Sequence, residues 1–301
     1  MSRILAINLN PTFQQSFFYR SFTKDDVNRA YAHNEQIAGK GFNLVRILSL
    51  LNDKAVYLSH LGKDRFHEVE NECQKLGIEM AYALNDGPMR TCVTALESDS
   101  GQTTEFTCDA APISSPEVEA QIRILFENLI CQKDIQWLII AGTQAPGYSK
   151  SLFADMVKRA DELGKKAVLD ICDGNLLSCM EHHPAIVKPN RKEFERTFSI
   201  TGADDQTFEE KVQQISKKHG STLVITCGDR GAYVANQKEY LNGEWLPVAE
   251  YVEHPVNATG CGDVFTAAMT HSLANGKTLA EAVLFGSQCA AARVKRMEVG
   301  L

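Results

Sequence analysis

The chain lacks the marks of several large protein classes. It has nine cysteines in 301 residues, but no CxxC pair and no zinc-like spacing. An odd, unpatterned set of thiols argues against a disulfide framework and points to a reducing compartment. No apolar run reaches membrane-spanning length, and the opening "MSRILAINLNPTFQQSFF" holds no apolar signal core behind a basic region. The expectation is a cytoplasmic protein without a membrane partner. Positive charge is in short supply: 31 Lys and Arg against 38 Asp and Glu leave a formal charge of −7. Such a surface does not favour nucleic acid. No low-complexity segment, repeat or linker interrupts the chain, so residues 1–301 read as one domain.

What is there is a rhythm of short apolar runs. "RILAINLN" (3–10), "AVYLSHLG" (55–62), "WLIIAGT" (137–143), "AVLDIC" (167–172), "AIVKPN" (185–190) and "TLVITCG" (222–228) read as buried strands of a mainly parallel sheet. "TCVTALE" (91–97) alternates more and reads as half-exposed. Helical patterns stand between them: 42–51, 116–130, 149–164, 208–220, 264–276 and 279–296. Several close on glycine, which suits a C-terminal cap. The alternation predicts α/β layers. Residues 12–38 and 89–108 break the rhythm, with strand-like runs and no crossover helix. There "SFFYRSF" and "TTEFTC" are expected to pair as a small exposed sheet, a lid.

Five short motifs carry chemistry. "NATGCGDVF" (257–265) is a glycine turn at a helix start, where unpaired amides and the helix dipole attract an anion. Gly260 and Gly262 allow close approach, while Asp263 would repel a resting phosphate. The combination makes sense if the amides hold a transferring phosphoryl group and the carboxylate takes a proton from an attacking hydroxyl. A capping aspartate with loop-shaping glycines explains the same letters. "AGKGFNLVRIL" (38–48) is a second glycine-rich helix entry. It offers Lys40, the amides near Gly41 and Asn43 to a hydroxylated ligand, but it is not a Walker A loop. In "KPNRKEF" (188–194), Asn190 and Glu193 fit a capping box, or a water-mediated magnesium site near phosphates. "TCGDRGAYV" (226–234) reads as a strand, a glycine turn and a further strand, suited to a hairpin or to a nucleotide. Arg90 in "GPMRTCV" (87–93) suits a substrate phosphate or plain solvent.

Each motif is weak alone; their order is not. "AGKGFN", "GPMRTCV", "AGTQAPG" (141–147), "KPNRKE", "TCGDRGA" and "NATGCGD" together resemble the ribokinase/PfkB carbohydrate kinase family across nearly the whole chain. That family's usual forms are GGKGxN, an RT-containing lid segment, SGSLPPG, KPNxxE, a Ser/Thr-x-G-x-x-G turn and NTxGAGD. The spelling looks most like its hexose-phosphate branch, with 1-phosphofructokinase and tagatose-6-phosphate kinase.

The resemblance implies a ribokinase-like three-layer α/β sandwich with a small β-sheet lid. It implies ATP and magnesium as cofactors, and a sugar or sugar phosphate as acceptor, such as fructose 1-phosphate or tagatose 6-phosphate. Asp263 matches the catalytic base, and Gly260, Cys261 and Gly262 match the anion hole. Gln14, Gly39, Lys40, Gly41, Asn43 and Arg90 match substrate-binding positions. Lys188, Thr226, Gly228 and Gly231 match the nucleotide side, and Asn190 and Glu193 a water-mediated metal pair. A homodimer through the lid is implied too, although packing of the lid on its own body would cover the same residues.

The departures fall mainly on the sugar side. "NPTFQ" puts Gln14 where the family has a hydroxyl-binding aspartate, so the site offers an amide and no anion. Ala38 replaces the first glycine of GGKG, "AGTQAPG" loses both serines and one proline, and Cys261 replaces an alanine. "CAAARVKRMEVGL" lacks an Asn-Ala nucleotide signature. Two other readings stay open: a nucleoside or small-alcohol kinase of the same fold, and a ligand-binding protein with little catalysis.

Overall fold

The computed structural model describes residues 2–236, 243–253 and 256–295. In chain order the elements begin with β1 (Arg3–Ile7), β2 (Thr12–Tyr19), β3 (Ala32–Ala38), α1 (Lys40–Leu50), β4 (Lys54–Gly62), α2 (Phe66–Lys75) and β5 (Glu79–Asn85). They continue with β6 (Arg90–Glu97), β7 (Thr103–Thr107), α3 (Pro116–Ile130), β8 (Ile135–Ala141), α4 (Leu152–Glu162), β9 (Lys166–Asp170) and α5 (Asp173–Met180). The last third holds β10 (Ile186–Val187), α6 (Arg191–Thr197), α7 (Asp205–His219), β11 (Thr222–Thr226), β12 (Ala232–Ala235), β13 (Glu244–Leu246), α8 (Cys261–Ala274) and α9 (Leu279–Val294).

Nine strands form the large sheet, in spatial order β13-β12-β11-β10-β9-β8-β1-β4-β5. The run from β11 to β5 is parallel; β12 and β13 are added antiparallel at one edge. Its strands read as unbroken apolar runs because both faces are covered. Leu5 and Ile7 enter one core cluster, while Ile4 and Ala6 enter the other. The two-residue period of a strand sends neighbours to opposite faces. Helices α3 to α7 fill the first cluster with residues such as Phe126, Phe153, Phe194 and Phe208. The second is filled from α1, α2, α8 and α9, with Phe42, Val69, Val264 and Leu279. The result is the expected three-layer α/β sandwich.

Four strands form a separate small sheet, in order β3-β2-β6-β7. All four lie within 12–38 and 89–108. One detail differs from expectation: the strands of "SFFYRSF" and "TTEFTC" share this sheet but do not touch. β6 ("TCVTALE") lies between them, parallel to β2 and antiparallel to β7. Its alternating pattern comes from membership of this thin sheet.

Four elements escaped the apolar rhythm, the short edge strand β13 among them. α2, "FHEVENECQK", buries only Val69 and Cys73, and α5 opens on a left-handed Asp173 followed by Gly174. β5 is an edge strand with a mixed burial pattern. The helix expected over 279–296 is described to Val294, and Arg296 lies outside the described residues. Among the described residues no helix is long and apolar enough to cross a membrane.

The topology sets the place for chemistry. β1 and β8 are parallel neighbours, and the helices that follow them go to opposite faces. In open parallel sheets the crevice at such a switch, beyond the carboxyl ends of the strands, is where ligands sit.

Candidate active site

α8 carries the centre of the site. Its N-cap is Gly260, in the left-handed region at φ 82°, and no side chain caps the helix. Asp263 is therefore not spent as a cap. Among the described residues, the amides of Gly260, Gly262 and Asp263 have no hydrogen-bond partner. The Cys261 amide does: it donates to the Ala258 carbonyl at 3.2 Å, closing a turn. So the open donors are those of Gly260, Gly262 and Asp263, rather than the run 260–262 expected from the letters. Lys188 adds charge beside them. A Cβ placed on Gly262 would meet its Nζ at 3.6 Å.

Asp263 is buried, with 6% of its surface exposed. Asn43 of α1 donates from Nδ2 to its Oδ2 at 2.7 Å, and Oδ1 accepts no hydrogen bond from the described residues. α1 is placed by its glycines. A Cβ on Gly41 would lie 2.3 Å from the Asn8 Cβ, so only glycine lets the helix sit against the end of β1. The side-chain oxygen of Asn43 is buried and has no partner. An orphaned buried acceptor beside a carboxylate is costly unless a ligand supplies a donor.

Behind Asp263 lies a buried ionic network that no motif announced. Asp170, at the carboxyl end of β9, is 1% exposed. Its oxygens take Lys40 Nζ at 2.8 Å and Lys188 Nζ at 3.1 Å. The Thr266 hydroxyl donates to it at 2.7 Å. Burial would raise the Asp170 carboxyl, but the two ammonium groups win and hold it below the usual carboxylate range. Asp263 goes the other way: burial and the neighbouring Asp170 charge push it up, against Lys40, Asn43 and Lys188. Two carboxyls held apart in this way suit different tasks, one as fixed counter-ion and one as proton acceptor. Lys40 itself stays firmly charged. Burial works against that, and Asp170, Glu193 and Asp263 overcome it. One signal for Asp170 was present: "AVLDIC" ends an apolar parallel strand on an acid, at the ligand-binding edge.

A cavity of about 510 Å³ opens in front of this network. Its polar floor includes Lys188, Asn190, Thr226, Gly262 and Asp263, with Gly228 and Gly231 on one rim. Its apolar wall includes Leu246, Val248, Phe265, Val283 and Ala291. That size and mixture suit a ligand with a charged end and a flat apolar end. Asn190 and Glu193 also line it, and they form a full capping box for α6, with bonds of 2.9 Å each way. The other Glu193 oxygen lies 3.4 Å from Lys40 Nζ. Among the described residues no group of three or more His, Cys, Asp or Glu could hold a metal directly.

The expected substrate positions divide. Lys40 lines the cavity and is engaged by Asp170 and Glu193. Gly39, Gly41 and Asn43 stand at the start of α1. Gln14 and Arg90 lie on the small sheet, where Arg90 is opposite Thr12 and Gln14 is opposite Cys92. By that register they share a face with Glu105 of β7, whose carboxylate accepts from the Thr259 hydroxyl at 3.4 Å. This contact ties the small sheet to the glycine turn before α8. Gln14 donates to the Thr94 hydroxyl at 2.7 Å, and the Arg90 Nε is buried without a partner.

Comparison with known proteins gives the family and the fold. Residues 9–301 match the family described as "pfkB family carbohydrate kinase". The chain belongs to the pfkB family of carbohydrate kinases. It is a phosphotransferase with an alcohol group as acceptor. The 1-phosphofructokinase of Haemophilus influenzae is similar at 25% identity over 304 residues, covering 100% of this chain and 94% of that one. The fold is shared with phosphofructokinase-2 from Escherichia coli in complex with potassium, at TM-score 0.88 and 19% identity, over 100% of this chain and 95% of that one. It is also shared with the ribokinase of Thermotoga maritima, at TM-score 0.76 and 20% identity, over 100% and 95% of the two chains. Within this pfkB kinase, the expected base, the glycine turn and the nucleotide-side residues meet around one cavity.

Proposed function

We propose that this pfkB kinase transfers the γ-phosphate of ATP to a hydroxyl of a hexose phosphate, with Asp263 as the base. The observation that carries the reading is the Asn43–Asp263 pair. Asn43 holds Oδ2, which leaves Oδ1 to take the hydroxyl proton. The orphaned Asn43 oxygen can accept from a neighbouring sugar hydroxyl. The free amides of Gly260, Gly262 and Asp263, with Lys188, stabilise charge on the group in transfer. The apolar wall of the cavity suits the nucleotide base, and Thr226, Gly228 and Gly231 line it nearby. Magnesium fits through water and phosphate oxygens, because Asn190 and Glu193 are already engaged in their capping box. Bound there, it would neutralise phosphate charge.

The acceptor's phosphate is assigned to Arg90. Its guanidinium carries a buried Nε without a partner, on the same sheet face as Gln14. A guanidinium matches a phosphate better than a neutral sugar. Gln14 offers a neutral amide in place of a carboxylate, so less negative charge faces that phosphate. The relative named 1-phosphofructokinase supports fructose 1-phosphate as the first candidate. The test is ADP release measured across a panel of sugars, sugar phosphates and nucleosides. A hexose phosphate should give the highest kcat/KM. Turnover with nucleosides alone would overturn the substrate class, and no substrate-dependent ADP would overturn the kinase reading.

A further inference from the structure

Arg293 is the largest of the fully buried side chains, 1% exposed, and it is charged. It stands in the last turn of α9, outside the six motifs that carry the family resemblance. Its Nη1 donates to the Asn257 carbonyl at 3.3 Å and its Nη2 to the Thr259 carbonyl at 3.0 Å. Beside it, the amides of Val256 and Asn257 donate to the Val294 carbonyl at 2.8 and 3.2 Å. The end of α9 thus grips the turn that leads into α8.

The planar peptide gives this grip a chemical consequence. The Thr259 carbonyl and the Gly260 amide belong to one trans peptide unit and point in opposite directions. Holding the carbonyl on Arg293 aims the Gly260 N–H the other way, and Gly260 lines the cavity. A charged donor makes that hold stronger than a neutral one and polarises the peptide toward a better donor. The charge reaches the turn: burial pushes the Cys261 thiol up to about 11, and Arg293 pulls against it.

Resting on the kinase reading, we propose that Arg293 is a positioning residue for phosphoryl transfer. It is an internal cation that fixes the Asn257 and Thr259 carbonyls and thereby the donor geometry of the anion hole. Paired backbone carbonyls are also the kind of oxygen ligands that hold monovalent metal ions. With a guanidinium already on them, no metal ion is needed at that point.

The test uses the intact protein. Wild type must first show substrate-dependent ADP release; its absence would count against the kinase reading and leave Arg293 out of the question. Arg293→Met should lower kcat by about 100-fold, as loss of an anion-hole donor does. KM for ATP should change far less, and low millimolar guanidinium, but not sodium chloride at equal strength, should restore part of the rate. A folded Arg293→Met with near wild-type kcat, or a loss that guanidinium leaves untouched, would overturn the proposal. If that variant does not fold, Arg293→Lys keeps the charge but not the two-pronged hold. It should lose kcat at unchanged KM, and full activity would refute the positioning role. Wild type assayed with tetramethylammonium as the sole cation besides magnesium should keep its kcat. A fall of about tenfold would refute the internal-cation role.

Discussion

Asp263 owes its chemistry to a balance between burial and neighbouring charge. Burial and Asp170 favour its protonated form; Lys40, Asn43 and Lys188 favour the anion. The first pair wins, so its carboxyl lies above the ordinary value. As the base must be ionised, kcat/KM should fall as pH drops, with a midpoint above the usual Asp value of about 3.9. A pH–rate profile with an acid limb at the ordinary value would contradict this. The same shift has a stability sign. A carboxyl raised on folding contributes stability below its unfolded value, and that contribution is lost as pH rises through the folded value. Asp263→Asn should therefore melt higher than wild type at neutral pH, with the gain gone near about pH 4. It should still bind ATP, and lose about 10²- to 10⁴-fold in turnover, the usual worth of a general base. Near-normal turnover would remove Asp263 from its role.

At the scale of elements, the glycine motifs were legible because each stands at a sharp change of chain direction: between β3 and α1, between β11 and β12, and at the start of α8. There backbone shape dictates residue type. The Gly41 contact with Asn8 is such a constraint. Gly41→Ala should displace the start of α1, move Asn43 from Asp263 and lower kcat by about tenfold or more, while the distant nucleotide wall keeps ATP affinity. Comparing kcat with ATP titration checks this; equal losses in both would point to general unfolding. The pairings of Asp170 and Arg293 were illegible for the converse reason, although the position of Asp170 at a strand end was a signal. Each residue is a single polar letter inside an ordinary strand or helix. Their partners lie 96 positions away for Asp170 and Thr266, and 36 for Arg293 and Asn257. Only the folded arrangement reveals that they are paired. The order of the strands in the small sheet was hidden similarly: composition marked its segments, but not that β6 separates β2 from β7.

At the scale of the molecule, the small sheet leaves one face unresolved by a single chain. Gln14, Arg90 and Glu105 lie on the face tied to the glycine turn before α8. Register places Phe17, Val93 and Phe106 on the other face. Phe106 is 49% exposed. Apolar residues clustered on one thin sheet are costly in water and favour a covering surface. A second copy of the same sheet is the simplest cover, because a two-fold contact needs only one self-complementary patch. Light scattering at micromolar concentration should therefore give twice the chain mass. Phe106→Glu should shift the mass toward a monomer, since it sets like charges across the two-fold contact. The body of the kinase buries its own two cores, so the monomeric variant should stay folded by circular dichroism. A wild-type monomer under those conditions, or a Phe106→Glu dimer of undiminished stability, would exclude the sheet-to-sheet contact.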